Sequence, residues 1–315
     1  MKTKEYQAGW WLVFLSIVLI SGFSVVSQFL FRGSEEYLSM FVGELLIAIP
    51  CVIGLFLLRG KREDGLLKNR LFLHGFAPVL LPFLILLPTF GQYFFSLLSL
   101  PASGLLQFLF GLPDQIDLMP DLAHPMDYVW AFGSLCILAP VLEELLCRGI
   151  LMRLLSPYGF STALITSAVA FSMLHMNAQG FLVFFFLGLL LGLCVYATGS
   201  LFAAMVMHCA NNAMAFSLMI LYKNADPSVL SVLLVLAAAV MFPFLLWRFL
   251  HMTQKRTAWA NRLPQKQRWR PGSVGMVLCI VFFIGIHVFV LVSRISSGDL
   301  FSQFFDLADV YLNGY

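Results

Sequence analysis

Ala139-Pro140-Val141-Leu142-Glu143-Glu144-Leu145-Leu146-Cys147-Arg148 places two carboxylates and a guanidinium inside an apolar run that extends over roughly residues 128–155. Such a run is long enough to cross a bilayer, which takes about 20 residues. Each charged side chain near the centre of a spanning helix costs on the order of 3 kcal/mol on insertion scales. A sequence that keeps three of them together there has chemistry for them. His175 and His208 lie in later apolar runs, and Asn212 follows His208 by four positions. The question is whether these residues form one site.

The rest of the chain supports the same environment. Of 315 residues, 60% are hydrophobic and 11% are charged, whereas soluble domains carry about 25% charged residues. Hydrocarbon forces each backbone segment to satisfy its own hydrogen bonds. The fold class expected is therefore all-α, a polytopic transmembrane helical bundle. About nine spans are read, at 10–31, 37–58, 76–99, 128–155, 160–178, 180–197, 201–221, 229–249 and 273–293. The first lacks a small-residue cleavage site after a short apolar core, so it reads as a retained helix. Cys51, Cys136, Cys147, Cys194, Cys209 and Cys279 all fall in apolar segments with no Cys-x-x-Cys pair, and read as small core residues. The net charge of +3 gives no reason to expect a nucleic-acid partner.

The placement of charge orients the chain. Lys2 and Lys4, the 59–75 loop with Arg59, Lys61, Arg62, Lys68 and Arg70, and the 250–272 loop with Lys255, Arg256, Arg262, Lys266, Arg268 and Arg270 fall on one side after nine crossings. The 100–127 loop carries Asp114, Asp117, Asp121 and Asp127 without Lys or Arg, and shares the other side with the acidic tail. By the positive-inside rule the N-terminus is cytoplasmic and the C-terminus outside. The basic 250–272 loop reads as fixing topology in preference to binding anionic membrane lipid. Three parts follow: N-terminal spans and an acidic outer loop at 1–127, a core at 128–221, and C-terminal spans with the basic loop at 222–315.

Depth brings the polar residues together. Pro157 and Gly159 mark the turn of a hairpin; Glu143 lies 16 positions before Gly159 and His175 lies 16 after it. In antiparallel helices equal offsets give equal depth, on the order of 20 Å here. His208 and Asn212 enter a similar layer from the turn at Thr198-Gly199-Ser200, and their i, i+4 spacing puts them on one helix face. Phe171 and His175 share a face by the same rule. Glu144 is i, i+4 to Arg148 and is its expected ion-pair partner. Glu143, about 100° away around the helix, is left as the unpaired carboxyl suited to general-base work. Pro140 removes a helical hydrogen bond and bends the span. Gly188 and Gly192 allow a close helix approach. Glu44 reads as a partner of Arg32 in preference to a site residue, and His74 and His287 read as packed, hydrogen-bonded histidines.

Taken together, Glu143-Glu144-x-x-x-Arg148, Phe171-x-x-x-His175 and His208-x-x-x-Asn212 resemble the CAAX protease and bacteriocin-processing family, which includes the type II CAAX prenyl proteases. Ala139-Pro140-Val141-Leu142, Leu191-Gly192 and Thr198-Gly199-Ser200-Leu201 resemble its flanking contexts, and Cys147 departs from it where an aromatic residue is common. The resemblance covers about residues 128–221. It implies an intramembrane endopeptidase in which Glu143 activates water, His175 holds that water, and His208 and Asn212 stabilise the oxyanion, with Glu144 and Arg148 in support. It leaves the cofactor open: either none, or Zn²⁺ held by Glu143, His175 and His208, three ligands being what catalytic zinc uses. The implied substrate is a membrane-associated peptide or protein, such as a prenylated tail or a leader-containing peptide. Two other readings stay open. One is a non-catalytic membrane scaffold, immunity or regulatory partner with the same fold. The other is a proton-coupled transporter, since buried Glu and His also build proton relays. No His-Glu-x-x-His or Gly-x-Ser-x-Gly motif points to another protease class.

Overall fold

The computed structural model describes residues 3–30, 36–59, 73–110, 124–222, 228–253 and 274–297. Within them every regular element is helical. Chain order gives α1 (Thr3–Leu30), α2 (Glu36–Leu45), α3 (Ala48–Arg59) and α4 (Leu81–Phe110). A broken helix follows, made of α5 (Pro125–Phe132), α6 (Ala139–Glu144) and α7 (Met152–Leu155), joined by π-helical segments Gly133–Leu138 and Leu145–Leu151. Then come α8 (Phe160–Leu174), α9 (Phe181–Thr198), α10 (Leu201–Tyr222), α11 (Ser228–Thr253) and α12 (Val274–Ser297).

The protein is an integral membrane helical bundle. Among the described residues six helical stretches are long and apolar enough to cross a membrane, and Phe160–Leu174 and Val274–Phe289 are shorter apolar helices. With the broken helix of residues 125–158 these reproduce the nine expected runs. The differences are at the ends. The third run continues as helix to Phe110, so the loop expected from residue 100 starts later. The fifth stops at Leu174, not 178. The second is interrupted between Leu45 and Ala48, where the Leu46 and Ile47 amides bond the carbonyls three residues back, of Gly43 and Glu44. Most of the basic loops, Asp114, Asp117, Asp121 and the C-terminal tail lie outside the described residues; Asp127, expected in the outer loop, is instead buried in α5, where its Oδ2 accepts the His124 backbone N–H at 2.8 Å.

The broken helix is the unusual element, and Pro140 explains part of it. The Ala139 amide reaches back five residues to the Ser134 carbonyl. In that register the Leu135 carbonyl should receive the next amide, but Pro140 has no N–H to give. A carbonyl is thereby released inside the membrane, where it needs another donor. The second π segment ends the same way, with the Met152 amide on the Cys147 carbonyl; that carbonyl also accepts the Ser167 hydroxyl of α8 at 2.9 Å. Isolated π turns of this kind occur often at functional sites. The expected bend is thus a pair of π segments flanking the two glutamates.

The helix hairpins close where they were expected. Gly159 (φ 98°) and Gly199 (φ 66°) sit in the left-handed region that side chains avoid. Helices α8 and α9 then pack tightly, because a Cβ on Gly188 would stand 3.0 Å from the Ala168 Cα and one on Gly192 would stand 2.4 Å from a Leu164 methyl. The α10 helix lies against α4, α9 and the broken helix, which sets the third motif beside the first. A Gly188→Val substitution should push α9 off α8 at a cost of roughly 1–3 kcal/mol. Thermal unfolding in detergent should show a lowered midpoint; an unchanged one would contradict the close approach.

Candidate active site

Two adjacent glutamates occupy different environments. Glu144 is fully buried and its Oε1 accepts Arg148 Nη1 at 2.5 Å. Arg148 is equally buried. Its Nη2 donates to the Gly188 carbonyl at 2.8 Å, and its guanidinium lies over the Phe171 ring at 4.4 Å. One cation is thus held by an ion pair, a backbone dipole and an aromatic face, the combination that offsets the cost of a charge in hydrocarbon. Glu143 instead retains 13% exposure of its side chain, and its Oε2 has no hydrogen-bond partner in the protein.

His208 joins the two carboxylates. Its Nδ1 lies 3.1 Å from Glu144 Oε1, and its Nε2 lies 3.9 Å from Glu143 Oε2. A carboxylate accepts, so Nδ1 carries the proton. A neutral His208 therefore offers a lone pair at Nε2, and only the imidazolium donates there.

His175 caps the C-terminus of α8. Its Nδ1 lies 2.9 Å from the Phe171 carbonyl, so that nitrogen is the donor and Nε2 is left as an acceptor. The ring stacks on Phe184 with centroids 3.9 Å apart. Both His175 and His208 pack on the edges of Phe171, at 4.8 and 5.4 Å. Phe171 therefore spaces the two imidazoles and covers Arg148. The i, i+4 rule found it as a neighbour of His175 but not in this central place.

Asn212 donates its Nδ2 to the Leu135 carbonyl at 2.8 Å, the group released by Pro140. Its Oδ1 accepts Asn211 Nδ2 at 3.1 Å. These contacts fix the amide orientation and leave its second N–H for another acceptor. Asn211, Leu135, Phe184 and the Gly188 carbonyl were not identified from sequence; only Pro140, three residues before the glutamates, hinted at a displaced backbone. Glu44 comes close enough to Glu143 for the carboxylates to interact electrostatically, whereas its expected partner Arg32 lies outside the described residues. His74 is exposed, against the packed role expected; it contributes its backbone carbonyl to the Ser200 hydroxyl. His287 is packed and hydrogen-bonded as expected.

Glu143, Glu144, Arg148 and His208 thus meet directly. His175 joins through Phe171, and Asn212 through the backbone of the first motif. The zinc set expected for a metal-dependent enzyme is not assembled: among the described residues no three His, Cys, Asp or Glu side chains are arranged to hold a metal ion. Four of the six buried side-chain N or O atoms left without a partner among the described residues belong to Glu143, Glu144, Arg148 and Asn211. Such orphans are costly and are usually kept for a purpose.

Residues 125–214 match the family model of type II CAAX prenyl endopeptidases, Rce1-like. This segment, less than a third of the chain, is similar to the domain of that family. No curated protein and no solved structure matches the chain. The matched segment contains all three motifs and both π segments, and it excludes α1 to α4, α11 and α12.

Removing one partner from a buried pair strands the other, which typically costs 3–5 kcal/mol. Arg148→Met should therefore lower the detergent unfolding midpoint substantially. Glu144→Gln combined with Arg148→Met should recover part of the loss. Additive losses would contradict the pairing.

Proposed function

We propose that the protein is an intramembrane endopeptidase that hydrolyses a peptide bond of a membrane-associated peptide or protein with a glutamate-activated water. The observation that carries this reading is the contrast between neighbours. Glu144 is fully buried in its ion pair, while the Glu143 side chain keeps 13% exposure and makes no ion pair with Arg148, its buried Oε2 lying 3.9 Å from His208 Nε2.

In this reading Glu143 takes a proton from water while the His175 Nε2 lone pair accepts a second hydrogen bond from it. The hydroxide adds to the scissile carbonyl carbon, and the carbonyl oxygen takes the negative charge. His208, with its Nδ1 proton held by Glu144, presents an imidazolium Nε2–H to that oxyanion. The second N–H of Asn212 supplies another donor. Collapse breaks the C–N bond, and Glu143 returns its proton to the leaving amine. Each oxyanion donor of this type is worth about 10²–10³ in rate. Arg148 and Glu144 orient His208 and do not touch substrate. No step runs through a metal. The substrate class is a peptide presented within or beside the bilayer, a prenylated tail or a leader-containing peptide among them. The distribution of Lys and Arg supports a cytoplasmic N-terminus and an outside C-terminus in this reading.

Glu143→Gln tests the reading. Cleavage of a fluorogenic peptide library by the purified protein should fall by roughly 10²-fold or more, the usual worth of a general base, with little change in thermal unfolding. Full cleavage by the variant would overturn the assignment. A wild-type protein that cleaves nothing, with cellular effects preserved in Glu143→Gln, would favour the scaffold reading.

A further inference from the structure

His287 stands on α12, about seventy residues beyond the matched segment, yet it reaches into the turn that follows His175. Its Nε2 accepts the Ala178 backbone N–H at 3.1 Å. Its Nδ1 bonds the Phe283 carbonyl at 2.7 Å, which places the proton on Nδ1 and turns the Nε2 lone pair toward the turn. The Ala178 amide lies between α8 and α9, where neither helix supplies it a carbonyl, and a membrane site makes an unmet amide costly. Phe283 adds an edge-on contact to Phe181, the first residue of α9, with centroids 5.8 Å apart.

The turn needs holding. Met176, directly after His175, has φ 47° and is the single non-glycine residue with positive φ among those described. A side chain in the left-handed region persists only where its surroundings enforce it. The same turn ties Gly180 N–H to the Asn177 Oδ1 at 2.9 Å, and the Ser172 hydroxyl to the Phe181 carbonyl at 2.5 Å. Relaxation of Met176 toward an ordinary backbone would rotate the peptide that follows His175, and with it the imidazole stacked on Phe184.

We infer that His287 is a positioning residue that fixes the 175–180 turn from α12 and thereby sets the orientation of the His175 imidazole. The consequence for catalysis rests on the role given to His175 above; the latch itself does not. It makes α12, which packs chiefly along α1, part of the machinery that supports the site.

The experiment compares wild type, His287→Phe and His287→Gln of the full chain in detergent. Phe keeps the ring and removes the acceptor; Gln restores an acceptor at the end of a side chain that can reach the amide. Hydrogen exchange of the peptide covering residues 175–181, read by mass spectrometry, should quicken roughly tenfold in His287→Phe, the loss of one hydrogen bond. It should return toward wild type in His287→Gln. In the cleavage assay kcat should fall by about tenfold or more, since small misplacements of a catalytic group cost up to about 10²-fold, with KM little changed. Unchanged exchange in His287→Phe overturns the latch. Faster exchange with unchanged kcat overturns its role in catalysis. If wild type cleaves no peptide, the exchange result still decides the latch, and the failure falls on the proposed function alone.

Discussion

A guanidinium sealed in the membrane is the constraint around which this protein is built. Arg148 has no route to water, so its charge must be met within the fold. Glu144, the Gly188 carbonyl and the Phe171 face meet it from its own helix, α9 and α8. The requirement explains why Gly188 is a glycine, since α9 must come near enough for its backbone to receive an Arg nitrogen. It also explains the asymmetry of the glutamates. Glu144 is consumed by the pair and by His208, and Glu143 is released from structural work.

A second constraint is the backbone itself. Pro140 deprives the Leu135 carbonyl of a helical donor, and hydrocarbon supplies none. Asn212 answers it from α10, which makes the defect in one helix the anchor of a side chain on another. Ser167 of α8 adds a second donor to the Cys147 carbonyl, which already accepts the Met152 amide. The two π segments thus act as docking points for α8 and α10, on either side of Glu143.

The span pattern was legible because long apolar runs are a strong signal and spanning segments must be helical. So was the pairing of Glu144 with Arg148, which depends only on i, i+4 spacing and the cost of bare charge. Equal offsets from Gly159 placed Glu143 and His175 at one depth, but depth does not give orientation. The orientation of His208 toward Glu144, and the seat of Asn212 on Leu135, depend on π geometry that an apolar pattern does not encode. His287 was readable only as a packed histidine, because its partner is a backbone amide over a hundred residues away. Glu44 shows the same limit. Its nearness to Glu143 comes from how α2 meets the broken helix, which no local rule determines.

The account turns on one difference: the Glu143 side chain keeps some exposure and the Glu144 side chain has none. Labelling the intact protein in detergent with a membrane-soluble carbodiimide, followed by peptide mapping, reads this without assuming any substrate. The account predicts an adduct on Glu143 with Glu144 unmodified. An adduct on Glu144 with Glu143 spared would contradict it.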